Sequence, residues 1–391
     1  MKFTRFVKCL PALLAAVFFV QAARAEWTLT GSDLKPEKGV GINEWSVKDG
    51  LSYTQAGGAL KTIATRDLVG LASSTTATAR EAKWSLTLRN GDVLMGEPVA
   101  LAKGVLQFTV TDLGTIDVPL KLVSILQATD NPAPNTEIPL DRDVLRLKNG
   151  DTRDGIFVGL ADGKIQIQHD DATTPTDLAR VDRLTLGGAL PARAIPSLSL
   201  RVRLLSGTVL TTQDIHWKVG SVAIADYAGT DRACPVDRIK SIDVLGGRVV
   251  WLADVDPART QESSFIGTKW AMQPNANVMG GPLKIARTEF ARGLGVHTNS
   301  TLEYKLDGTF TQLGFAVGID DSAAPYGQAD VKVLVDGKMV WEQKALKAGQ
   351  PAVQQTLDLK DAHKVELIST SPGTMDVQGR VDWVNIGLIR P

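Results

Sequence analysis

Four polar side chains in the last third of the chain have residue types that could do chemistry: His297, Asp320, Asp321 and Asp382. Glycoside hydrolysis needs two carboxyl groups about 5–10 Å apart, one on each side of the bond, and one of them needs a raised pKa. Adjacent residues of a strand point to opposite faces, so Asp320 and Asp321 cannot flank one bond together unless the chain bends between them. The sequence also contains no G-x-S-x-G and no H-E-x-x-H motif. We therefore predict that the protein is not an enzyme.

Two non-catalytic roles remain open for these residues. Loop carboxylates are ligands that Ca²⁺ prefers, so Asp320 and Asp321 are a predicted calcium site. Alternatively, His297 and one of the aspartates hydrogen-bond to each other and lock strand ends together, because buried polar groups need partners. Asp382 alternates with Trp383, so if one faces the core the other faces outward. We predict structural roles for His297, Asp382 and Trp383.

Strands surround these residues in the predicted fold. From about residue 250 to residue 391 apolar and polar residues alternate, as in TLEYKLDG (301–308) and ADVKVLVDGKMVWEQKAL (329–346). Asp307-Gly308 and Asp336-Gly337 have the residue types of two-residue hairpin turns. About eight strands without a convincing helix predict an antiparallel β-sandwich over 250–391.

A repeat occupies the first two thirds of the chain. Three segments align on Gly91, Gly150 and Gly207, which are 59 and 57 residues apart, and each has a second glycine thirteen residues later. Asn-Gly at 90–91 and at 149–150 predicts type I′ turns, in which both central residues have positive φ. Each unit of about five short strands resembles a small SH3-like or Sm-like barrel. The predicted units cover 81–130, 140–190 and 197–247, with a degenerate copy at 26–80.

The first 25 residues have the pattern of a signal peptide. Lys2, Arg5 and Lys8 precede a short apolar core, and Ala23-Arg24-Ala25 is a small-x-small cleavage site. Cleavage there would remove four basic residues and no acidic ones, which changes the formal charge from 0 to −4. We expect a secreted or periplasmic protein without a membrane span after cleavage. Neither charge state favours nucleic acid as a partner.

The order of motifs in the last 140 residues resembles the NPCBM/NEW2 domain, a carbohydrate-binding module related to family 51 modules. The motifs are GLGVHTNSTLEYKL, FAVGIDDS, VKVLVDGKMVWEQKAL, LDLKDAHKVELIST and GRVDWVNIGLI. The resemblance implies a galactose-binding-like jelly-roll sandwich whose loops at one end hold a sugar. In that family pattern, His297 belongs to G-x-G-x-H, Asp320 and Asp321 to G-[IV]-D-D, and Asp382 to the closing D-W pair.

Sugar recognition needs an aromatic face against the C–H face of the ring and planar polar groups for the hydroxyls. Residues of these types in predicted loops are the candidate ligand contacts: Trp270, Asn275, Asn277, Arg292, Asp321 and Tyr326.

The sequence thus predicts a non-catalytic carbohydrate-binding protein, in which the barrels are spacers or interaction modules. Its expected partner is a glycan or polysaccharide, with envelope proteins as further partners. A structural or protein-interaction role in the cell envelope without sugar binding stays open, and so does a glycosidase or esterase, which the missing motifs disfavour. Apart from the predicted Ca²⁺, no cofactor is expected.

Overall fold

The structure is a computed structural model that describes residues 26–55, 57–130, 138–139, 141–263, 267, 270–373 and 378–391. In these residues every regular element is a β-strand or a 3-10 turn of three residues, so the all-β class is confirmed. No helix in this part of the chain is long and apolar enough to cross a membrane. The predicted signal peptide, residues 1–25, lies outside the described residues.

Four units with the same order of strands follow one another, and we number them 1 to 4. Unit 1 contains β1 (Trp27–Gly31), β2 (Pro36–Ser46), β3 (Gly50–Thr54), β4 (Leu60–Ile63) and β5 (Leu68–Ser73). Unit 2 contains β6 (Trp84–Leu88), β7 (Val93–Ala102), β8 (Val105–Val110), β9 (Gly114–Pro119) and β10 (Val123–Ala128). Unit 3 contains β11 (Asp143–Leu147), β12 (Thr152–Ala161), β13 (Lys164–His169), β14 (Ala172–Asp177) and β15 (Val181–Thr185).

In unit 4 the second strand is interrupted, which gives six strands. They are β16 (Ser199–Leu204), β17 (Val209–Thr212), β18 (Ile215–Lys218), β19 (Ser221–Ala225), β20 (Asp231–Cys234) and β21 (Ile239–Leu245). A 3-10 turn precedes the last strand of every unit, at Thr65–Asp67, Leu120–Leu122, Leu178–Arg180 and Val236–Arg238. In units 2, 3 and 4 the first strand pairs with both the second and the last, which bends each unit into a small, strongly curved sheet.

The turns at Asn90-Gly91 and Asn149-Gly150 differ from the predicted type I′ turn. Gly91 has a φ of 87°, but Asn90 is not in the positive-φ region. The Gly91 N–H donates to the Leu88 carbonyl (3.0 Å), and the Leu88 N–H donates to the Asp92 carbonyl (2.8 Å). This is a three-residue hairpin loop with a left-handed glycine at its end. The repeating glycine is therefore needed, but for another turn type than the one predicted.

The four units form one block. The last strands of units 2 and 3 pair through Leu126 and Leu184, and those of units 4 and 1 pair through Ile242 and Leu71. Units 2 and 4 are joined by a further pairing between β7 and β17. The strands of all four units make one 21-stranded sheet around a common apolar core.

The C-terminal part folds as two facing sheets, as predicted. One sheet has the order β24 (Gln273–Pro274), β27 (Gly293–His297), β34 (Arg380–Ile389), β29 (Gln312–Ile319) and β32 (Val353–Asp358), with β22 (Val249–Trp251) paired to β34. The other has the order β23 (Arg259–Glu262), β28 (Ser300–Lys305), β33 (Lys364–Thr370), β30 (Gln328–Val335) and β31 (Lys338–Lys347). Further 3-10 turns lie at Leu252–Asp254 and Asp321–Ala323.

Of the two hairpin turns predicted in the sandwich, one is confirmed and the other is wrong. Asp336 and Gly337 both have positive φ and join β30 to β31, which confirms that hairpin. The hairpin at Asp307-Gly308 is wrong, because this turn carries the chain from β28 in one sheet to β29 in the other. The Asp307 side chain accepts from the Thr309 N–H instead (3.0 Å).

A short hairpin covers the outer face of the first sheet. This flap, residues 275–290, contains β25 (Leu283–Ile285) and β26 (Thr288–Phe290). It can lie close because the strands beneath carry glycine at outward positions: a Cβ on Gly295 would come within 2.4 Å of the Ala276 carbonyl oxygen, and a Cβ on Gly318 within 2.7 Å of Ile285. Trp383 points to the opposite, inner face, where it is buried in the core and donates from Nε1 to Ser369 Oγ (3.3 Å).

Candidate functional site

One end of the sandwich gathers the ends of three neighbouring strands. His297 at the end of β27 pairs with Arg380 at the start of β34, and Val381 next to it pairs with Ile319 at the end of β29. We call this region the loop end and define it as residues 270–272, 297–299, 320–327 and 380. The block of four units is attached at the other end of β34, where β22 pairs with Gly387–Ile389.

An aromatic platform lies at the loop end. The rings of Trp270 and His297 stack with centroids 5.6 Å apart and planes inclined by 15°. Both side chains are half-buried, and His297 Nδ1 lies 3.3 Å from the Thr298 carbonyl oxygen. The imidazole packs against one face of the indole and so restricts the rotation of Trp270.

The carboxylate of Asp320 accepts hydrogen bonds from several neighbouring segments. Its Oδ1 accepts from the side-chain amide of Asn277 (3.1 Å), from the Ser322 N–H (2.9 Å) and from the Ser322 hydroxyl. Its Oδ2 accepts from the Lys284 N–H (3.2 Å). The flap, the turn after β29 and the sheet thus meet at one buried carboxylate.

Asp382 is buried beside Asp320, under the flap. The Lys284 N–H, which also faces Asp320, donates to Asp382 Oδ2 (3.2 Å). Burial raises the pKa of Asp382 to about 9, and the hydrogen bond and charge of Asp320 raise it in the same direction. Near neutral pH, Asp382 is therefore protonated.

These contacts bear on the predicted calcium site at Asp320 and Asp321. Asp320 accepts from N–H and O–H donors at both oxygens, and Asp321 Oδ2 accepts from the Arg287 N–H (2.8 Å). Donors pointing at a carboxylate stabilise its charge without a cation. Among the residues described, no group of three or more His, Cys, Asp or Glu side chains is arranged to hold a metal. Calcium binding stays a prediction that this geometry does not favour.

The structure brings only some of the predicted sugar contacts to the loop end. Trp270, Asp321 and Tyr326 lie there, and Tyr326 is 77% exposed. Asn277 is buried instead, and its side-chain oxygen accepts from the N–H groups of Met279 (3.1 Å) and Gly281 (2.9 Å).

Two other predicted contacts lie near the opposite end of β27. Asn275 has a φ of 57° and accepts from the Gly293 N–H (3.3 Å), which fixes the entry to the flap. Arg292 forms ion pairs with Asp243 of unit 4 and with Asp254 (3.8 Å). Sugar binding by Arg292 stays a prediction that this placement does not favour, because its guanidinium is paired with carboxylates between the sandwich and the block.

Sequence reasoning missed Arg380, which the structure places between the platform and the turn after β29. It stands opposite His297, and its Nη1 donates to the carbonyl (2.7 Å) and the hydroxyl (3.1 Å) of Ser322. One feature of the sequence could have indicated this position. Arg380 lies two residues before Asp382, so both side chains point to the same face of the strand that pairs with the one ending in His297.

Comparisons with known proteins point to one family. The profile of the NPCBM/NEW2 domain matches residues 248–389. A Renibacterium salmoninarum protein named "Putative endo-alpha-N-acetylgalactosaminidase" is 29% identical over 219 residues, which are 51% of this chain and 14% of that protein. The chain thus spans about a seventh of the length of that curated relative.

Two solved structures from Clostridium perfringens are similar as well. A CBM51 module in complex with methyl-galactose is 16% identical, with a TM-score of 0.33 over 36% of this chain and 99% of the module. A structure that contains a second CBM51 module in complex with GlcNAc is 18% identical, with a TM-score of 0.33 over 45% of this chain and 37% of the other. From the matched profile and the two-sheet architecture, residues 248–389 are an NPCBM/NEW2 domain.

Proposed function

We propose that the chain binds carbohydrate through the loop end of its NPCBM/NEW2 domain and does not catalyse a reaction. The observation that carries this proposal is the Trp270–His297 stack at the end of the sandwich that is away from the block. The signal peptide predicted at 1–25 supports a secreted or periplasmic location for this activity.

The surroundings of the platform suit a sugar. An indole face packs against the C–H face of a pyranose ring, and hydroxyl groups need charged or planar polar partners at the edge. Asp321 and Arg380 supply such groups, and the exposed Tyr326 adds a second aromatic ring. The strands that end at His297 and Ile319 are separated by one strand, so they lie roughly 10 Å apart and a sugar ring can lie between their loops.

The carboxyl groups support a non-catalytic role. Asp320 and Asp382 are adjacent, and one has a raised pKa, which are features of a hydrolytic pair. However, both are buried under the flap, with 1% and 0% of their surfaces exposed, and both accept from the same Lys284 N–H instead of facing a substrate cleft. A glycosidic bond cannot pass between them.

Glycan binding by substituted proteins tests the proposal. We expect Trp270→Ala to weaken glycan binding by about tenfold or more and Tyr326→Ala by less, because the fixed indole supplies most of the apolar contact. Trp270→Phe should keep part of the affinity. A glycan array that includes galactose and GlcNAc termini, followed by calorimetry on the hits, measures this.

Met339→Ala is the matched control, because Met339 is an exposed apolar residue of the same sandwich on β31. Unchanged binding by Trp270→Ala, or no binding to any glycan by the native chain, would contradict sugar recognition and favour an envelope interaction role. Turnover of any glycan on the array would contradict the non-catalytic part.

A further inference from the structure

One arginine at the loop end keeps its charge without an ionic partner. No carboxylate in the described part of the chain lies within 4.0 Å of the Arg380 guanidinium nitrogens. Nη1 donates to the carbonyl (2.7 Å) and the hydroxyl (3.1 Å) of Ser322, whereas Nε and Nη2 have no hydrogen-bond partner among the same residues. These two nitrogens lie side by side and form a planar fork of donors. The contact with Ser322 therefore fixes the guanidinium and leaves its fork for another partner.

The two aspartates of the turn after β29 are held by other donors. The buried Asp320 accepts from donors of the flap and from Ser322, and Asp321 accepts from the Arg287 N–H at the tip of the flap (2.8 Å). An ion pair with Arg380 would require one of these carboxylates to leave its N–H donors. Arg380 is half-buried, and water screens the charge of a partly buried group less than that of an exposed one.

Arg380 also lies at the base of the space in which we place the sugar. It stands directly opposite His297 in the pairing of β27 with β34, so the two Cβ atoms are roughly 5 Å apart and both side chains point to the same face. His297 in turn stacks with Trp270. β34 is the strand between β27 and β29, so a sugar ring between the loops of those two strands would lie over Arg380.

We propose that the loop end binds sugars that carry a carboxylate group, and that Arg380 is the residue that selects them. The inference rests on the proposed sugar binding and names its ligand class. The fork of a guanidinium matches the two oxygens of a carboxylate in two parallel, charge-assisted hydrogen bonds, which a neutral hydroxyl cannot replace. Hexuronic acids and sialic acids both carry such a group at the edge of the ring.

Calorimetric titration of the full chain with sugar acids and their methyl esters tests this, because each ester keeps the sugar and removes the charge. One arm compares the methyl glycoside of galacturonic acid with its methyl ester, and the other does the same for N-acetylneuraminic acid. We expect at least one acid to bind about tenfold more tightly than its ester. The arm with the larger ratio of affinities distinguishes a hexuronic acid from a sialic acid.

Three variants assign the preference to one side chain. Arg380→Gln removes the charge and keeps an amide that can donate to Ser322, so the acid should fall to the affinity of its ester while the ester stays within about twofold. Arg380→Lys keeps the charge without the fork and should keep part of the preference. Arg180→Gln makes the same change at an exposed arginine of unit 3 and should leave the preference unchanged.

The outcomes separate this inference from sugar binding itself. Equal affinity of acid and ester for the native chain, a preference that survives Arg380→Gln, or binding of neutral glycans without either acid would overturn the selection of acids and leave sugar binding standing. No binding of any glycan would overturn both. If Arg380→Gln also lost the ester, the turn at Ser322 would have changed, and equal affinity of acid and ester for Arg380→Lys would then overturn the inference.

Discussion

Asp382 shows how burial changes the chemistry of one carboxyl group. The flap and Asp320 raise its pKa from 3.8 to about 9, so the folded chain keeps a proton that the unfolded chain loses. Because the folded-state pKa is the higher one, this group's contribution to stability is complete below about pH 3.8 and is lost as the pH rises towards 9. Asp320, Asp321 and the Lys284 N–H are the groups that face it.

Asp382→Asn should therefore flatten the pH dependence of stability. The amide keeps a donor towards Asp320 and cannot ionise, so its free energy of unfolding should fall less than that of the native chain between about pH 5 and pH 9. Urea denaturation at a series of pH values measures the two slopes.

Asp361→Asn serves as the comparison, because Asp361 lies exposed in a turn with a φ of 60°, which asparagine tolerates. Its slope should match that of the native chain. A slope for Asp382→Asn as steep as the native one would show that Asp382 does not carry the titration.

Strand alternation predicted part of this site. It correctly separates Asp382 from Trp383, since the two side chains point to opposite faces of β34. Alternation could not show that both faces of β34 are buried. The flap covers the outer face, and the sequence of the flap has no alternation that would predict its strands. The ion pairs of Arg292 could not be predicted for a similar reason: whether an arginine binds a ligand or an aspartate of another unit depends on contacts distant in sequence.

At the scale of elements, the flap depends on the glycines beneath it. Gly295→Ala should destabilise the domain by about 1–3 kcal/mol, because its new Cβ would meet the backbone of Ala276 and Asn277 at about 2.4–2.5 Å, where no side-chain rotation can relieve the contact. Thermal denaturation should show a lower Tm for this variant.

Gly373→Ala is the control for that experiment. Gly373 lies in the same domain without positive φ, and a Cβ there would meet none of the described residues within 4 Å. We expect its Tm to stay close to the native value. If Gly295→Ala were equally harmless, the flap would not be packed on β27 as described.

The elements themselves were mostly predictable from period-2 alternation, and the repeat was visible in its glycines. The turn at Asn90-Gly91 was assigned the wrong type because residue preferences do not distinguish two-residue from three-residue loops. The connection through Asp307-Gly308 was mistaken for a hairpin because a turn signal does not say whether the next strand stays in the same sheet.

At the scale of the molecule, one arginine links the sandwich to the block of four units. Arg292 contacts Asp243 and Asp254, and its guanidinium lies 5.3 Å from the ring centroid of Trp251. Each aspartate also forms an ion pair with a second arginine. Asp243 lies 3.1 Å from Arg203, and Asp254 lies 3.0 Å from Arg201. The junction is a largely buried network of alternating charges.

Arg292→Ala should lower the free energy of unfolding by about 2–3 kcal/mol. This is less than the cost of leaving a buried carboxylate without any partner, because both aspartates keep one arginine. It should also separate the unfolding of the sandwich from that of the block in chemical denaturation. Arg66→Ala, at an exposed ion pair with Asp67, should cost about 0–1 kcal/mol. A single unshifted transition for Arg292→Ala would contradict the role of this network.

The pairing of unit 1 with unit 4, and of unit 2 with unit 3, is nested instead of sequential. It brings the first strand of the block and the last one close together: Trp27 in β1 pairs with Ser73, and the neighbouring Ala72 of β5 pairs with Ser241 in β21. Because β1 and β21 are both antiparallel to β5, they run parallel to each other, and the chain enters the block beside Ser73 and leaves it beside Arg66, at opposite ends of β5. The block therefore holds Trp27 and the start of the sandwich roughly 20 Å apart, the length of the six residues of β5.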